Sequence, residues 1–302
     1  MATVSTDTDS GVLSDVDLRW VKRKEVLFHA TLFLASVFGV AMLGLLVFDV
    51  LFETAVGVLV LGIDVTTFLT SGASRDWERV GFLPAIIGSV WLVLLTLIFS
   101  FFLGVSTATY LEEYAPNTRT VRLIEANLTN LAGVPSVVYG LLALGVFVNG
   151  LRLGSILLAG SIALALLVVP IVIVASQEAL RAVPGGVRDG SLATGATRWQ
   201  TVRGVVLPAA LPGIVTGTIL ALARAIGETA PLIMVGAVLQ ARQTPDPFSL
   251  FGSMPTMIYY WAFRPITEFH NLAALGILVL LTILVGMYGV AFFVRNRYER
   301  RL

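Results

Sequence analysis

Six long apolar stretches separated by short polar segments organise this chain. Their limits fall near Val26–Phe52, Phe82–Tyr110, Leu131–Val148, Leu153–Ser176, Gly213–Leu239 and Leu272–Val294. Each is near or above the ~17–25 residues that a helix needs to cross a bilayer. Lipid offers no partners to free backbone groups, so the pattern predicts six spanning α-helices. The third stretch is the shortest and carries Gly133, Pro135 and Gly140, which predicts a bent span with a helical lead-in from Val121. Only Asn149–Arg152 separate it from the fourth, which makes the two antiparallel neighbours. Ahead of the spans, residues 1–25 read as a flexible cytoplasmic tail, and 26–302 as the membrane domain. A cleaved secretory signal is the rival reading of the first stretch. That stretch is about twice as long as a signal's apolar region and lacks a clear small-residue cleavage site, so it reads as an uncleaved anchor. No internal repeat is visible, which weakens an inverted-repeat carrier.

Composition supports the same class. The chain is 57% hydrophobic and 13% charged, against about 25% charged residues in soluble domains, and its mean hydropathy is +0.89. This is an all-α polytopic membrane protein. Cysteine is absent, which excludes disulfides, iron–sulfur clusters and thiolate catalysis. His29 and His270 are far apart and do not form a metal-ligand spacing, so no metal site is expected. The only lysines are Lys22 and Lys24, before the first span, so the chain has no phosphate-loop lysine and is not its own P-loop ATPase. Six spans with the N-terminus inside put fourteen of the twenty basic residues on the inner side and five on the outer, with Arg224 within a span. That bias predicts a plasma-membrane protein with both termini cytoplasmic. The net charge of +1 gives no indication of a nucleic-acid partner, and none is expected. Tyr110, Trp199, Tyr259, Tyr260, Trp261 and Tyr298 lie near predicted membrane edges and read as an interfacial belt.

Two segments stand out chemically. The first is Arg224-Ala225-Ile226-Gly227-Glu228-Thr229-Ala230-Pro231, inside the fifth stretch. Residues four apart share a helix face, so Arg224 and Glu228 can touch. A charge near the bilayer centre costs about 2.5–3.5 kcal/mol even on the lenient insertion scale, so such a pair faces protein or a polar pathway. One reading makes Arg224 the positive charge on an anion pathway, with Glu228 holding it in place. The other makes the pair a structural lock between helices. Thr229 and Pro231 complete the turn; Pro231 removes a backbone donor and reads either as a tolerated membrane proline or as a kink in the fifth helix. Tyr139 is placed to reach a central cavity, with packing as the alternative.

The second segment is the loop 177–208. It holds the turn signal Val183-Pro184-Gly185-Gly186 and then two short helix-capable pieces split at Gly195. Apolar and basic residues alternate through Arg198, Trp199, Val202, Arg203, Val205 and Val206. On physical grounds alone this fits an amphipathic segment on the membrane surface as well as it fits a protein-docking element.

The spacing of this loop resembles the coupling motif of ABC importer permeases: E-A-A, three residues, G, nine residues, I-x-L-P. Asp189, Gly190 and Ser191 stand at the E-A-A positions, Gly195 at the glycine, Val205 at the isoleucine, and Leu207-Pro208 close the pattern. Arg188, just before, stands where the family also has arginine. More narrowly, Gly133–Gly140, Tyr110–Tyr114, Leu207-Pro208 and Arg224–Pro231 are similar to the PstA phosphate permease subunits, and Thr229-Ala230-Pro231 favours PstA over the related PstC. The likeness covers about residues 80–295. It implies a MetI-like type I importer permease that is not itself an enzyme and that binds no cofactor. It also implies that Arg188, Asp189, Gly190, Ser191, Gly195, Leu207 and Pro208 couple it to an ATP-binding dimer (PstB-like), where ATP and Mg are bound. The other implied partners are a PstC-like second permease subunit, an extracytoplasmic phosphate-binding protein, inorganic phosphate and membrane lipid. The substrate pathway would involve Arg224, Glu228, Thr229, Pro231 and Tyr139. Moving a phosphate dianion inward against ~100 mV and a thousandfold gradient costs about 9 kcal/mol, so a motor is required. Alternatives are a permease for phosphonate, sulfate or molybdate, a free-standing channel or secondary carrier, or a scaffold without transport.

Overall fold

The computed structural model describes residues 18–74, 76–238 and 244–299. The chain divides into two units, 1–52 and 53–302. The described part of the first unit is helical throughout and belongs to α1 (Leu18–Leu59). Leu27, Phe33, Leu46 and Phe48 are among its many exposed apolar residues. A helix that is apolar on all sides is suited to lipid rather than water. Of the expected tail, residues 1–17 lie outside the described residues. Residues 18–25 are helical.

The second unit contains α2 (Val65–Thr70), α3 (Leu83–Glu113), α4 (Arg119–Leu131), α5 (Ser136–Ala143), α6 (Leu157–Arg181), α7 (Gly185–Ala193), α8 (Arg198–Thr201), α9 (Leu207–Ile226), α10 (Ala230–Val235), α11 (Met254–Ala262) and α12 (Thr267–Glu299). π-helical turns extend α5 through Leu144–Gly150 and join α8 to α9 through Val202–Val206. Five helices are long and apolar enough to span a membrane. A sixth span follows if α4 and the α5 segment, bent by 102°, count as one. That bend is the one anticipated from Gly133 and Pro135.

The central helix is α6, with 67% of its apolar window buried, against 28% for α3, 33% for the 198–226 span and 6% for α12. Its neighbours approach through small residues. A Cβ at Gly104 of α3 would stand 2.6 Å from Val172 Cγ1, and one at Gly217 of α9 would stand 2.6 Å from Ala175 Cβ. Without a hydrophobic drive between helices in lipid, such close approach supplies the dispersion contacts that hold them. Matched positions (Thr96 with Ser161, Gly104 with Val172, Glu112 with Gln177) rise together along both chains, so α3 and α6 are parallel. The pairs Ala175–Gly217 and Ala179–Gly213 run oppositely, so α9 is antiparallel to α6. The reversal before α6 uses left-handed backbone at Arg152 (φ 54°) and Gly154 (φ 79°).

Three expectations need correction. Trp261 is not part of a membrane-edge belt. It is 1% exposed and packs with Phe68, Phe82 and Phe269, ring centroids 5.5–6.5 Å away. Tyr298 is helical, but its side chain lies outside what is described. The fifth span is not Gly213–Leu239; continuous helix runs from Arg198 to Ile226 and stops at Gly227. The kink is also not made by Pro231. The chain has already left the helix at Gly227–Thr229, and Pro231 lies in the first turn of α10, where a missing N–H is harmless.

Candidate functional site

The two break regions meet. Gly140 of α5 lies against Pro231 of α10: a Cβ there would stand 2.6 Å from Pro231 Cα and 2.9 Å from its carbonyl oxygen. Only glycine allows this approach. Tyr139 is 7% exposed, and its hydroxyl donates to the Leu131 carbonyl at 2.7 Å. That carbonyl ends α4, where it accepts from the Val134 amide at 3.0 Å but finds no amide at Pro135, four residues on. Tyr139 thus braces the α4–α5 bend. Its ring packs with Leu167, Val168, Val172, Ala221 and Ala225.

Arg224 lies in the last turn of α9, about 26 Å along the helix from Leu207 at 1.5 Å per residue. The amide of Gly227 donates to the Arg224 carbonyl and that of Glu228 to the Ala225 carbonyl, each at 3.1 Å. Arg224 Nε stands 3.9 Å from Glu228 Oε1, with side chains 60% and 19% exposed. No side-chain hydrogen bond accompanies this contact among the described residues. Among the described residues, no other helix of this chain holds the guanidinium by an ion pair or hydrogen bond. Thr229 precedes α10 without capping it, and its hydroxyl reaches the Gly227 carbonyl at only 3.5 Å.

The loop after α6 folds as the glycine pattern predicts. The helices α7 and α8 flank Gly195, which adopts φ +84°, a conformation that favours glycine. Ser191 Oγ and Thr201 Oγ1, 2.9 Å apart, tie the two pieces together, and Thr197 and Gln200 form a capping box on α8. Asp189 and Gly190 are exposed, as are Pro208 and the apolar side chains of Val187, Leu192 and Trp199. Leu207 and Pro208 open α9. Arg188 instead points inward. It donates to Glu113 Oε1 at 3.0 and 3.2 Å, to the Leu180 carbonyl at 2.7 Å and to the Val183 carbonyl at 2.6 Å.

Sequence reasoning named Tyr110–Tyr114 only as a likeness and assigned those residues no role. Glu112 pairs with Arg181 and accepts from Gln177 at 3.1 Å, while Gln177 and Arg181 also reach Glu125 of α4. Arg198 lies over the Tyr114 ring, 5.3 Å from its centroid. The available signal was the spacing of Gln177 and Arg181, one helical turn apart at the end of an apolar run, opposite two adjacent glutamates.

Residues 100–300 match the family described as the binding-protein-dependent transport system inner membrane component. The chain belongs to this family. Its relatives include the phosphate transport system permease protein PstA of Haemophilus influenzae, 30% identical, covering 91% of this chain and 95% of the relative. Bacillus subtilis YqgH, named as a probable ABC transporter permease, is 36% identical over 66% of this chain and 67% of its own. Among solved structures, the fold resembles a chain of a bacterial alginate ABC transporter (TM-score 0.66, 14% identity, 91% and 96% covered). It also resembles one of the MetNI methionine ABC transporter (TM-score 0.56, 22% identity, 72% and 94% covered). This inner membrane component is thus a multi-pass permease subunit of an ABC transporter and not an enzyme.

Proposed function

We propose that this permease subunit imports inorganic phosphate, driven by ATP that a separate subunit hydrolyses. The names of its PstA relatives, together with an exposed Arg224 one turn before a helix break, support phosphate as the solute. The observation that carries the reading is that arginine: its charge is weakly paired and its planar donor fork is available to a tetrahedral oxyanion. Arg224 and Glu228 would face the anion, and Thr229, Pro231 and Tyr139 would hold the two breaks that shape the passage. Irregular backbone in a membrane is tolerated where it is buried in protein or lines a water-filled cavity, in keeping with a pathway at this place.

The partners in this reading are a PstC-like second permease subunit, a PstB-like ATP-binding dimer carrying ATP and Mg, and an extracytoplasmic phosphate-binding protein. The 183–206 loop is the cytoplasmic contact with the dimer. Asp189, Gly190 and Ser191 lie in α7, the turn is made at Gly195, Leu207-Pro208 lead into α9, and Arg188 fixes the loop from within. The excess of arginine and lysine on that side supports cytoplasmic termini. The test is uptake of radiolabelled phosphate by the complete complex in vesicles, with sulfate, molybdate and phosphonate as competitors. Phosphate uptake that needs ATP, the binding protein and Arg224 is expected. Preferential uptake of another oxyanion would replace the substrate assignment, and flux through the lone chain would overturn the coupled-transport reading.

A further inference from the structure

We propose that Glu112 and Glu113, the last two residues of α3, form the joint through which movement of the 183–206 loop enters α3 and α6. The proposal rests on the reading of that loop as the contact with the ATP-hydrolysing subunit. Two adjacent carboxylates serve two different elements. The Glu113 side chain, 9% exposed, holds Arg188 of α7, whose own side chain is 25% exposed. The same guanidinium donates to the carbonyls of Leu180 in the last turn of α6 and of Val183 just beyond it. A single side chain thus ties α7 to the ends of both α3 and α6. Charge-assisted hydrogen bonds of this kind are roughly twice as strong as neutral ones. Glu112, one position back, binds Arg181 and Gln177 of α6, and these two also reach Glu125 of α4.

The two arms of the loop are tied differently. Among the described residues, α7 is anchored by an ion pair to the end of α3, whereas α8 runs on without a break into α9 and sets Arg198 over the ring of Tyr114, just beyond α3, at 5.3 Å. Displacement of the loop therefore reaches α3 and α6 through α7, and α9 directly. The first two helices are parallel and interlocked where Gly104 meets Val172, so they move together. Glu112 and Glu113 are positioning residues: neither touches solute, and both act through the arginines.

The test uses the complete complex, with the second permease subunit, the ATPase dimer, the binding protein and inorganic phosphate, in sealed vesicles. Glu113→Gln keeps the shape and removes the charge. The expected result is an assembled complex that still hydrolyses ATP, with phosphate moved per ATP lowered about tenfold. Glu113→Asp should recover most of the loss. The double variant Glu113→Gln with Arg188→Gln should be no worse than the poorer single variant, because the two act as one unit. Glu112→Gln, whose arginine partner is largely exposed and whose loss threatens folding less, carries the same expectation in milder form. Wild-type transport per ATP in both glutamine variants overturns the proposal. So does a proportional loss of transport and hydrolysis, or failure to assemble, because either marks a merely structural role. The docking reading fails separately. If Leu192→Asp with Trp199→Asp leaves the ATPase bound as in the wild type, the loop is not the contact, whatever the glutamate variants do.

Discussion

Replacing Gly140 by alanine adds one methyl group where α5 meets α10. The added carbon would stand 2.6 Å from Pro231 Cα, 2.9 Å from its carbonyl oxygen and 3.0 Å from Met234 Cβ. Carbon atoms rest at about 3.5–4.0 Å, so about 1 Å must open between the two segments. The two nearest atoms are backbone and cannot rotate aside. Against this, alanine gains about 0.8–1.0 kcal/mol over glycine in helix propensity. Overpacking by a methylene costs about 1–3 kcal/mol, and a backbone contact puts this site in the upper half of that range. The expected net loss is about 1–2 kcal/mol. Gly145, on the π-helical continuation of α5, has nothing within 4 Å of its hypothetical Cβ. Gly145→Ala is therefore the control, expected to be neutral or stabilising by up to about 1 kcal/mol. Denaturation midpoints of the purified chain in rising sodium dodecyl sulfate, followed by tryptophan fluorescence, compare the two. A Gly140→Ala midpoint at or above that of Gly145→Ala would refute the packing argument and with it the claim that the two break motifs support one another.

Three further outcomes follow from the geometry. Arg224→Lys keeps the charge but loses the planar fork; phosphate uptake by the assembled complex should fall severalfold, and normal uptake would remove Arg224 from the pathway. Gly195→Ala forces a side chain to φ +84°, which costs about 1–2 kcal/mol. Pull-down of the ATPase should weaken, while the spans, by circular dichroism, remain intact. Asp64 caps α2, and the hydroxyls of Thr67 and Thr66 pull its carboxyl from 3.8 down to about 2. Because the folded value lies below the unfolded one, its contribution is full above about pH 4 and fades as pH falls toward 2. Hydrogen exchange at the Thr66 and Thr67 amides, corrected for intrinsic rates, should accelerate over that range, and an Asp64→Ala variant should lose the pH dependence.

Residues that act through their own type or spacing were the legible ones. Five of the six apolar stretches became helices long and apolar enough to span a bilayer, and the third became the bent α4–α5 pair, because length and hydropathy decide that capacity. Gly195 was legible as the loop's turn because a positive φ selects glycine. The fifth span was misjudged for the converse reason: Gly227 to Pro231 lies between apolar residues, and hydropathy does not register a helix end inside an apolar run. Trp261 shows the same limit. An aromatic at a membrane edge and an aromatic in a buried cluster look alike until α2 folds Phe68 against it. Arg188 was legible as a marked position, but its direction was not. Its partner Glu113 is 75 residues away in sequence, and only the parallel packing of α3 and α6 brings the two together.

The placement of α9 connects the two candidate regions. The loop enters this helix at Leu207, and Arg224 leaves it in the last turn, about 26 Å away at 1.5 Å per residue. That is nearly the ~30 Å thickness of a bilayer's hydrocarbon core. Gly213 and Gly217 lie between them, in contact with Ala179 and Ala175 of α6. These close contacts hold α9 against α6 along the middle of its length. A shift imposed at the loop can travel along α9 as a rigid rod to the Gly227 break. There the regular helical bonds give way to the turn bonds of Gly227 and Glu228, and the chain changes direction. The ion pair of Arg224 and Glu228 straddles that break, with one charge on the rod and the other beyond it. In the proposed reading of Arg224 as the anion contact, a change in their separation is the smallest movement by which the loop would alter that contact.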